Sequence, residues 1–182
     1  MITTELSPIQ NAGLLATDHI AGSNHAALVL VEYGDYACPS CVEAEQLTRH
    51  LVEVFGSQMK FIFRHYPLVE IHPHAEIAAE AAEAAAAQGK FWPMHHLLFT
   101  HSKHLDLPAL RHSAKILDLD MRRFNAEMGD HIYAQRVHEH RHSGERIGLH
   151  GSPTFILNGA VVDVSFGLEH LEQAVRAALS EP

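Results

Sequence analysis

The sequence predicts an α/β fold made of an N-terminal βαβ unit, a run of helices and a C-terminal ββα unit, and three stretches carry that prediction. Residues 26–33, AALVLVEY, are almost continuously apolar and β-branched at their centre, as a strand buried on both faces of a sheet is. Residues 73–147 pass from one helical pattern to the next, with proline or aspartate at the starts. Residues 152–165, SPTFILNGAVVDVS, place two short β-rich runs around Asn158-Gly159, a strong short-range hairpin signal.

Taken in order, the first strand leads into both cysteines of the chain, Cys38 and Cys41, with Pro39 and Ser40 between them. Val42, Leu47, Leu51, Val52, Val54 and Phe55 then recur at broadly helical spacing until Gly56. MKFIFRHYPL reads as a second strand stopped by Pro67, so the CxxC pair sits on a strand-to-helix turn of a βαβ unit. Pro73 starts a helix through HAEIAAEAAEAAAAQ that Gly89 ends, and alanine has the highest helix propensity of any residue. Further helix starts fall at Pro93, at Asp106 with Pro108, and at Asp120, and a longer helical segment covers 131–147. After the hairpin, Leu168 to Leu179 is an amphipathic helix. The expected organisation is an N-terminal extension over 1–24, a discontinuous α/β domain over 25–68 and 148–182, and a helical insertion over 69–147.

At 182 residues a chain buries roughly 70 % of its unfolded surface, so this one needs no covalent staple. A disulfide closing so small a loop restricts the unfolded chain by only about 2 kcal/mol, which leaves chemistry or metal binding as the better reasons for the pair. With 13 Lys plus Arg against 22 Asp plus Glu, the formal net charge of −9 opposes the counterion release on which nucleic-acid binding depends. No basic residue precedes Arg49 and residues 1–24 hold no long apolar run, so the expectation is a cytoplasmic chain without a signal or a membrane span. In a reducing cytosol a vicinal cysteine pair is more often catalytic or metal-binding than structural.

The chemistry of the pair follows from its place. Unpaired N–H groups and the macrodipole at a helix N-terminus favour a thiolate, which assigns Cys38 as nucleophile. Cys41 lies one turn deeper on the same face, where it can reach Cys38 and resolve a mixed disulfide. Pro39 suits the first helical position, which needs no N–H. Ser40 has two readings, a hydroxyl donating to the thiolate and a solvated spacer. Zinc would need two more ligands, and covalent haem attachment fails because residue 42 is Val. The 17 histidines, among them His72, His74, His95, His96, His138, His140 and His142, read mainly as surface groups, with His138 and His142 spaced to share a helix face and take adventitious metal.

The ordered set LVEYGDYACPSC, FRHYPL, IHPHAEIAAEAAEAA, QGKFWPMHHLLF and GSPTFILNG resembles the DsbA-like branch of the thioredoxin superfamily, most of all its soluble, signal-less bacterial members with a CPxC pair. The resemblance covers nearly everything from about residue 25. It implies a thioredoxin fold with an inserted all-helical domain, and a thiol-disulfide oxidoreductase acting on protein thiols and disulfides without a cofactor or a metal. Cys38 is then the nucleophile and Cys41 the resolving thiol. Glu32 becomes the buried carboxylate that moves a proton during exchange, against the alternative of a solvated strand-end carboxylate. Pro153 becomes the cis-proline facing the cysteines, and Ser152, with Pro39 and Ser40, borders the client. The electron partner stays open among a thioredoxin-like protein, glutathione and a membrane oxidase. A redox-inactive or metal-binding peptide module on the same fold is the competing class. Pro-Ser replaces the Pro-His of strongly oxidising periplasmic members, so the expected couple lies between about −270 and −120 mV and nearer the reducing limit.

Overall fold

The computed structural model describes residues 13–180. Its centre is the parallel pair β2 (Leu28–Gly34) and β3 (Met59–His65), joined over one face by α1 (Pro39–Phe55). The hairpin β4 (Thr154–Leu157) and β5 (Ala160–Val162) adds antiparallel to β2. Its turn residues Asn158 and Gly159 both have positive φ, 46° and 81°, as a tight two-residue hairpin turn requires. A fifth strand, β1 (His19–Gly22), lies antiparallel on the free edge of β3 and gives the order β1-β3-β2-β4-β5. This strand falls within the stretch that the sequence assigned to an extension.

Side chains alternate along the strands, so Leu28, Leu30, Phe61, Phe63, Phe155 and Leu157 face one way, into the main core with α1 and α7 (Glu169–Ser180). Val31, Tyr33, Ile62 and Ile156 face the other way, into a smaller core with Tyr66 and Leu149. Five helices lie between β3 and β4: α2 (Ala75–Ala86), α3 (Phe91–Thr100), α4 (Leu107–Ile116), α5 (Met121–Gly129) and α6 (Ala134–Arg146). Asp106 and Asp120 cap α4 and α5 by accepting backbone N–H bonds, as the sequence predicts. The third helix begins two residues before Pro93, which occupies its first turn. All the alanines of α2 but Ala86 are buried, and their small side chains let α3, α4, α5 and α6 pack around it. Among the described residues no helix is long and apolar enough to cross a membrane.

The buried face of α1 differs from the apolar pattern of its sequence. Cys41, Ala44, Glu45, Thr48 and Leu51 point inward, whereas Val54 is 48 % exposed and Val42, Leu47 and Val52 are only partly covered. The helix thus buries a glutamate and a threonine along the line of its resolving cysteine.

Most histidines are surface groups, but His65, His95 and His140 are buried. Glu83, itself fully buried, accepts bonds from His19 Nε2 at 2.8 Å, His65 Nε2 at 2.9 Å and Arg136 Nη1 at 2.7 Å. Burial opposes its ionisation, yet these donors hold its carboxyl well below the usual range. Burial keeps His65 below its ordinary pKa and lowers His140 to about 3, so their rings are neutral donors and acceptors tying α2 and α6 to the sheet. His138 pairs with Glu76 at 2.7 Å, and among the described residues neither His138 nor His142 stands in a cluster of three metal-type ligands.

Arg64 is 1 % exposed and clamps the segment before β1: Nε donates to Asp18 Oδ1 at 2.7 Å and Nη2 to Asp18 Oδ2 at 2.8 Å. Its remaining donors go to Tyr33 Oη at 2.8 Å and the Gly13 carbonyl at 2.7 Å. Removing the guanidinium strands a buried carboxylate, so Arg64→Ala is expected to cost about 3–5 kcal/mol. Urea unfolding checks this, and Asp18→Asn in the same chain should recover part of the loss.

Candidate functional site

Cys38 is the N-cap of α1, and its carbonyl accepts from the Cys41 and Val42 N–H groups at 3.1 Å. Pro39 takes the first helical position. Cys38 keeps 8 % of its surface exposed and Cys41 none, and both are free thiols. The Cys41 thiol donates to Cys38, and the Cys41 and Ser40 backbone N–H groups add to it. Together, against the opposing effect of burial, they lower the Cys38 pKa to about 5. Burial raises Cys41 well above its ordinary value, and its bond to Cys38 and the nearby Glu32 charge raise it further. One helix turn thus separates a thiolate from a protonated thiol. Ser40 is exposed, and it supports the thiolate through its backbone rather than its hydroxyl.

Opposite the pair lies the turn entering β4, where the Ser152–Pro153 peptide bond is cis. Cys38 Sγ lies 3.5 Å from the Ser152 carbonyl oxygen, to which it can donate only in its protonated form. The Ser152 hydroxyl is buried and has no hydrogen-bond partner.

Glu32 sits in β2 between Phe63 of β3 and Phe155 of β4, on the face covered by α1. It is 1 % exposed and its Oε1 has no hydrogen-bond partner. Burial, then the charges of Glu45 and Cys38, push its pKa up to about 8. Gly34 makes room for it: a Cβ there would stand 2.5 Å from the Phe63 ring and 3.1 Å from Glu32 Oε1. The solvated strand-end alternative for Glu32 does not hold.

The seven residues singled out in the sequence thus come from three places: Glu32 in β2, Cys38, Pro39, Ser40 and Cys41 at the start of α1, and Ser152 and Pro153 before β4. Cys38 touches both Cys41 and Ser152, and the charges of Glu32 and the two sulfurs act on one another.

Two groups were not foreseen. Asp35, 2 % exposed, accepts from the Ala37 N–H at 2.7 Å, the Leu68 N–H at 2.8 Å and His72 Nδ1 at 2.8 Å, tying the cysteine turn to the segment after β3. Its own N–H donates to Cys41 Sγ at 3.4 Å. Tyr36 is 1 % exposed and shares a 3.1 Å hydrogen bond with His95 Nδ1 beneath the same turn. Their signal was position alone, two and three residues before Cys38. Among the described residues, the one cluster of three metal-type ligands is His65, Glu83 and His140, and it includes neither cysteine. Its glutamate already pairs with Arg136 and with two histidines.

The family model described as Thioredoxin matches residues 15–177. Among curated relatives, the Na(+)/H(+) antiporter NhaA 1 of Salinispora arenicola is 40 % identical over 163 residues, covering 90 % of this chain and 25 % of the antiporter. The NhaA 1 antiporter of Mycobacterium sp. strain KMS is 37 % identical over 167 residues, covering 87 % of this chain and 27 % of its own length. The chain therefore spans about a quarter of the length of these relatives. Among solved structures, a thioredoxin-like oxidoreductase from Silicibacter pomeroyi DSS-3 superposes with a TM-score of 0.78 at 24 % identity, covering 97 % of this chain and 98 % of that one. BdbD from Bacillus subtilis gives a TM-score of 0.77 at 20 % identity over 90 % of this chain and 94 % of its own. The thiol-disulfide exchange protein alpha-DsbA2 from Wolbachia pipientis gives 0.76 at 20 % identity, over 90 % and 88 %. With the family match spanning nearly all the described residues and the βαβ, helical insertion and ββα order matching these folds, the chain belongs to the thioredoxin family and has its DsbA-like fold.

Proposed function

We propose that this chain is a protein thiol-disulfide oxidoreductase in which Cys38 attacks, Cys41 resolves and Glu32 takes and returns the Cys41 proton. The observation that carries the reading is the placement of the two sulfurs: Cys38 at the N-cap of α1, partly exposed and 3.5 Å from the Ser152 carbonyl, and Cys41 fully buried one turn behind it.

In the reducing direction the Cys38 thiolate attacks a client disulfide, one client sulfur leaves as thiolate, and a mixed disulfide forms. Cys41 then gives its proton to the Glu32 carboxylate and attacks Cys38 Sγ. The Cys38–client bond breaks and the second client sulfur leaves, so two electrons have passed from the dithiol to the client. In reverse, protonated Glu32 returns the proton to Cys41. The backbone beside Pro153 offers an edge along which an extended client can lie, with Ser152 nearest the nucleophile and Pro39 and Ser40 exposed at the border of the site.

Protein thiols and disulfides are the substrate class. The matched antiporters are about four times as long as the matched stretch, so a membrane transporter is one setting in which a stretch of similar sequence occurs. For this chain, thiols exposed on such a transporter are one client to try.

Alkylation by a mass-tagged maleimide before and after dithiothreitol tests the reading. Oxidised protein should take no tag and reduced protein two, with Cys38 tagged first and already rapidly at pH 6. Equal, slow tagging of both cysteines at that pH would favour a redox-inactive binding module.

A further inference from the structure

The nucleophile heads a stripe of α1. Cys38, Val42, Glu45 and Arg49 follow one another at spacings of four, three and four residues, so they lie along one face of the helix. The Val42 N–H donates to the Cys38 carbonyl at 3.1 Å, which sets the head of the stripe against the cysteine turn. Along its flank run α3 and the segment that follows. Glu45 Oε1 meets His96 Nδ1 at 2.7 Å, and the Phe99 ring lies 4.8 Å from that of Tyr36, two residues before Cys38.

Between the stripe and that segment lies a cavity of about 520 Å³, lined by Val42, Arg49, Phe99, His101, Lys103 and His104 among others. Its charge is opposite to that of the molecule. The chain carries a formal net charge of −9, yet the cavity sets Arg49 and Lys103, with two histidines beside them, against a single carboxylate, Glu45. That carboxylate is engaged by His96, and Arg49 Nη1 stands off from it at 3.9 Å with its side chain 51 % exposed. Lys103 is exposed and forms no ion pair among the described residues. Val42 and Phe99 give the same cavity an apolar end next to the cysteine turn.

We propose that this cavity receives an acidic side chain of the client, about four residues from the client cysteine that bonds to Cys38, and that Arg49 and Lys103 select for it. The inference deepens the exchange reading above and rests on it. Arg49 stands eleven residues after Cys38, about 16 Å at the rise of a helix. An extended chain covers that in about five residues, and the tilt of the arginine side chain back along α1 shortens it by about one. One arm of the client then lies along Ser152–Pro153 and the other runs down α1, its apolar residues against Val42 and Phe99 and its carboxylate between Arg49 and Lys103. Selection is by charge, and no bond is made or broken in the cavity.

The test is competition for the mixed disulfide. The full chain carrying Cys41→Ser, which holds the adduct, is equilibrated with equal amounts of single-cysteine peptides capped as disulfides with 2-mercaptoethanol, and the adducts are counted by mass spectrometry. The peptides differ only in having Glu, Gln or Lys at the fourth residue from cysteine or, in a second set, at the residue next to it. With the charge at the fourth residue, the Glu adduct should exceed the Gln adduct about threefold, as an exposed ion pair supports, and the ratio should shrink in high salt. Next to the cysteine the ratio should be near one. Arg49→Ala should bring the first ratio towards one, and Lys103→Glu should turn it in favour of the Lys peptide. Equal Glu and Gln adducts would overturn the proposal. So would a Glu preference of the same size at both positions, which marks the field of the whole surface, or one that persists in both variants. Absence of an adduct with every peptide would instead overturn the exchange reading itself.

Discussion

Cys38→Ser is expected to abolish disulfide exchange, whereas Cys41→Ser should react once and stop, accumulating mixed disulfides with client. The asymmetry follows from what each sulfur touches. With its pKa lowered to about 5, Cys38 is mainly thiolate at pH 7, and the thiolate is the attacking species. Cys41 is buried and raised, so it starts nothing, but it stands where it can displace a client from Cys38. Without it the mixed disulfide has no internal exit. Non-reducing electrophoresis after mixing with a disulfide-bonded client shows the outcome: no adduct for Cys38→Ser, a persistent adduct for Cys41→Ser, a transient one for the parent. Equal residual turnover in the two variants would contradict the assignment of roles.

Glu32→Gln should affect rate and stability in opposite directions. For rate, the amide can neither take nor return the Cys41 proton, so the resolving step should slow at least on the order of tenfold. The wild-type rise of that step with pH, centred near the Glu32 value of about 8, should flatten. For stability, the folded pKa lies above the unfolded value of 4.5, so between the two the native state holds a proton that the unfolded state has lost. Wild-type stability therefore falls as pH rises from about 4.5 towards 8, by at most about 1.4 kcal/mol per pH unit from this group. The glutamine variant lacks that loss. Urea unfolding across this range should show the variant gaining on the parent up to pH 8 and the gap levelling beyond. A constant gap, with normal turnover at every pH, would make Glu32 a packing residue only.

The parts of this molecule that were legible in the sequence are those in which composition and position agree. The run at 26–33 and the Asn158-Gly159 turn became β2 and the β4–β5 hairpin because apolar content and turn chemistry there leave little choice. The cysteine turn was legible because a helix N-terminus acts on sulfur through the backbone, whatever the neighbouring side chains. β1 was not: His19–Gly22 is four residues, half-covered, and held by the edge of β3 and by Arg64 rather than by its own apolar pattern. Glu45 and Thr48 resemble surface residues of an amphipathic helix, and only the packing of α3 against α1 shows that they face inward. Histidine carries least information of all, since His95 and His96 are neighbours with 2 % and far greater exposure, one beneath Tyr36 and one beside Glu45. For Asp35 the spacing to Cys38 was visible, but the three donors converging on it come from Ala37, Leu68 and His72, which only the fold brings together.

The central claim is that Cys38 and Cys41 form one reversible two-electron couple, and its midpoint potential is the most direct measurement of it. Stabilising the thiolate stabilises the reduced protein and makes the pair more oxidising. Thioredoxin has a nucleophile pKa of about 7 and a potential of about −270 mV. The Cys38 value of about 5 lies two pH units lower. Two units are about 2.7 kcal/mol of thiolate stabilisation, or about 60 mV for two electrons. A glutathione redox titration followed by thiol alkylation is therefore expected to give a single transition near −210 mV at pH 7. That lies between the thioredoxin and DsbA limits and closer to the first, as expected without a histidine beside the nucleophile. A midpoint more positive than about −150 mV, or at or below about −270 mV, would contradict this account of how the site holds its thiolate. Alkylation that does not change with the applied potential would contradict the claim that the pair exchanges disulfides at all.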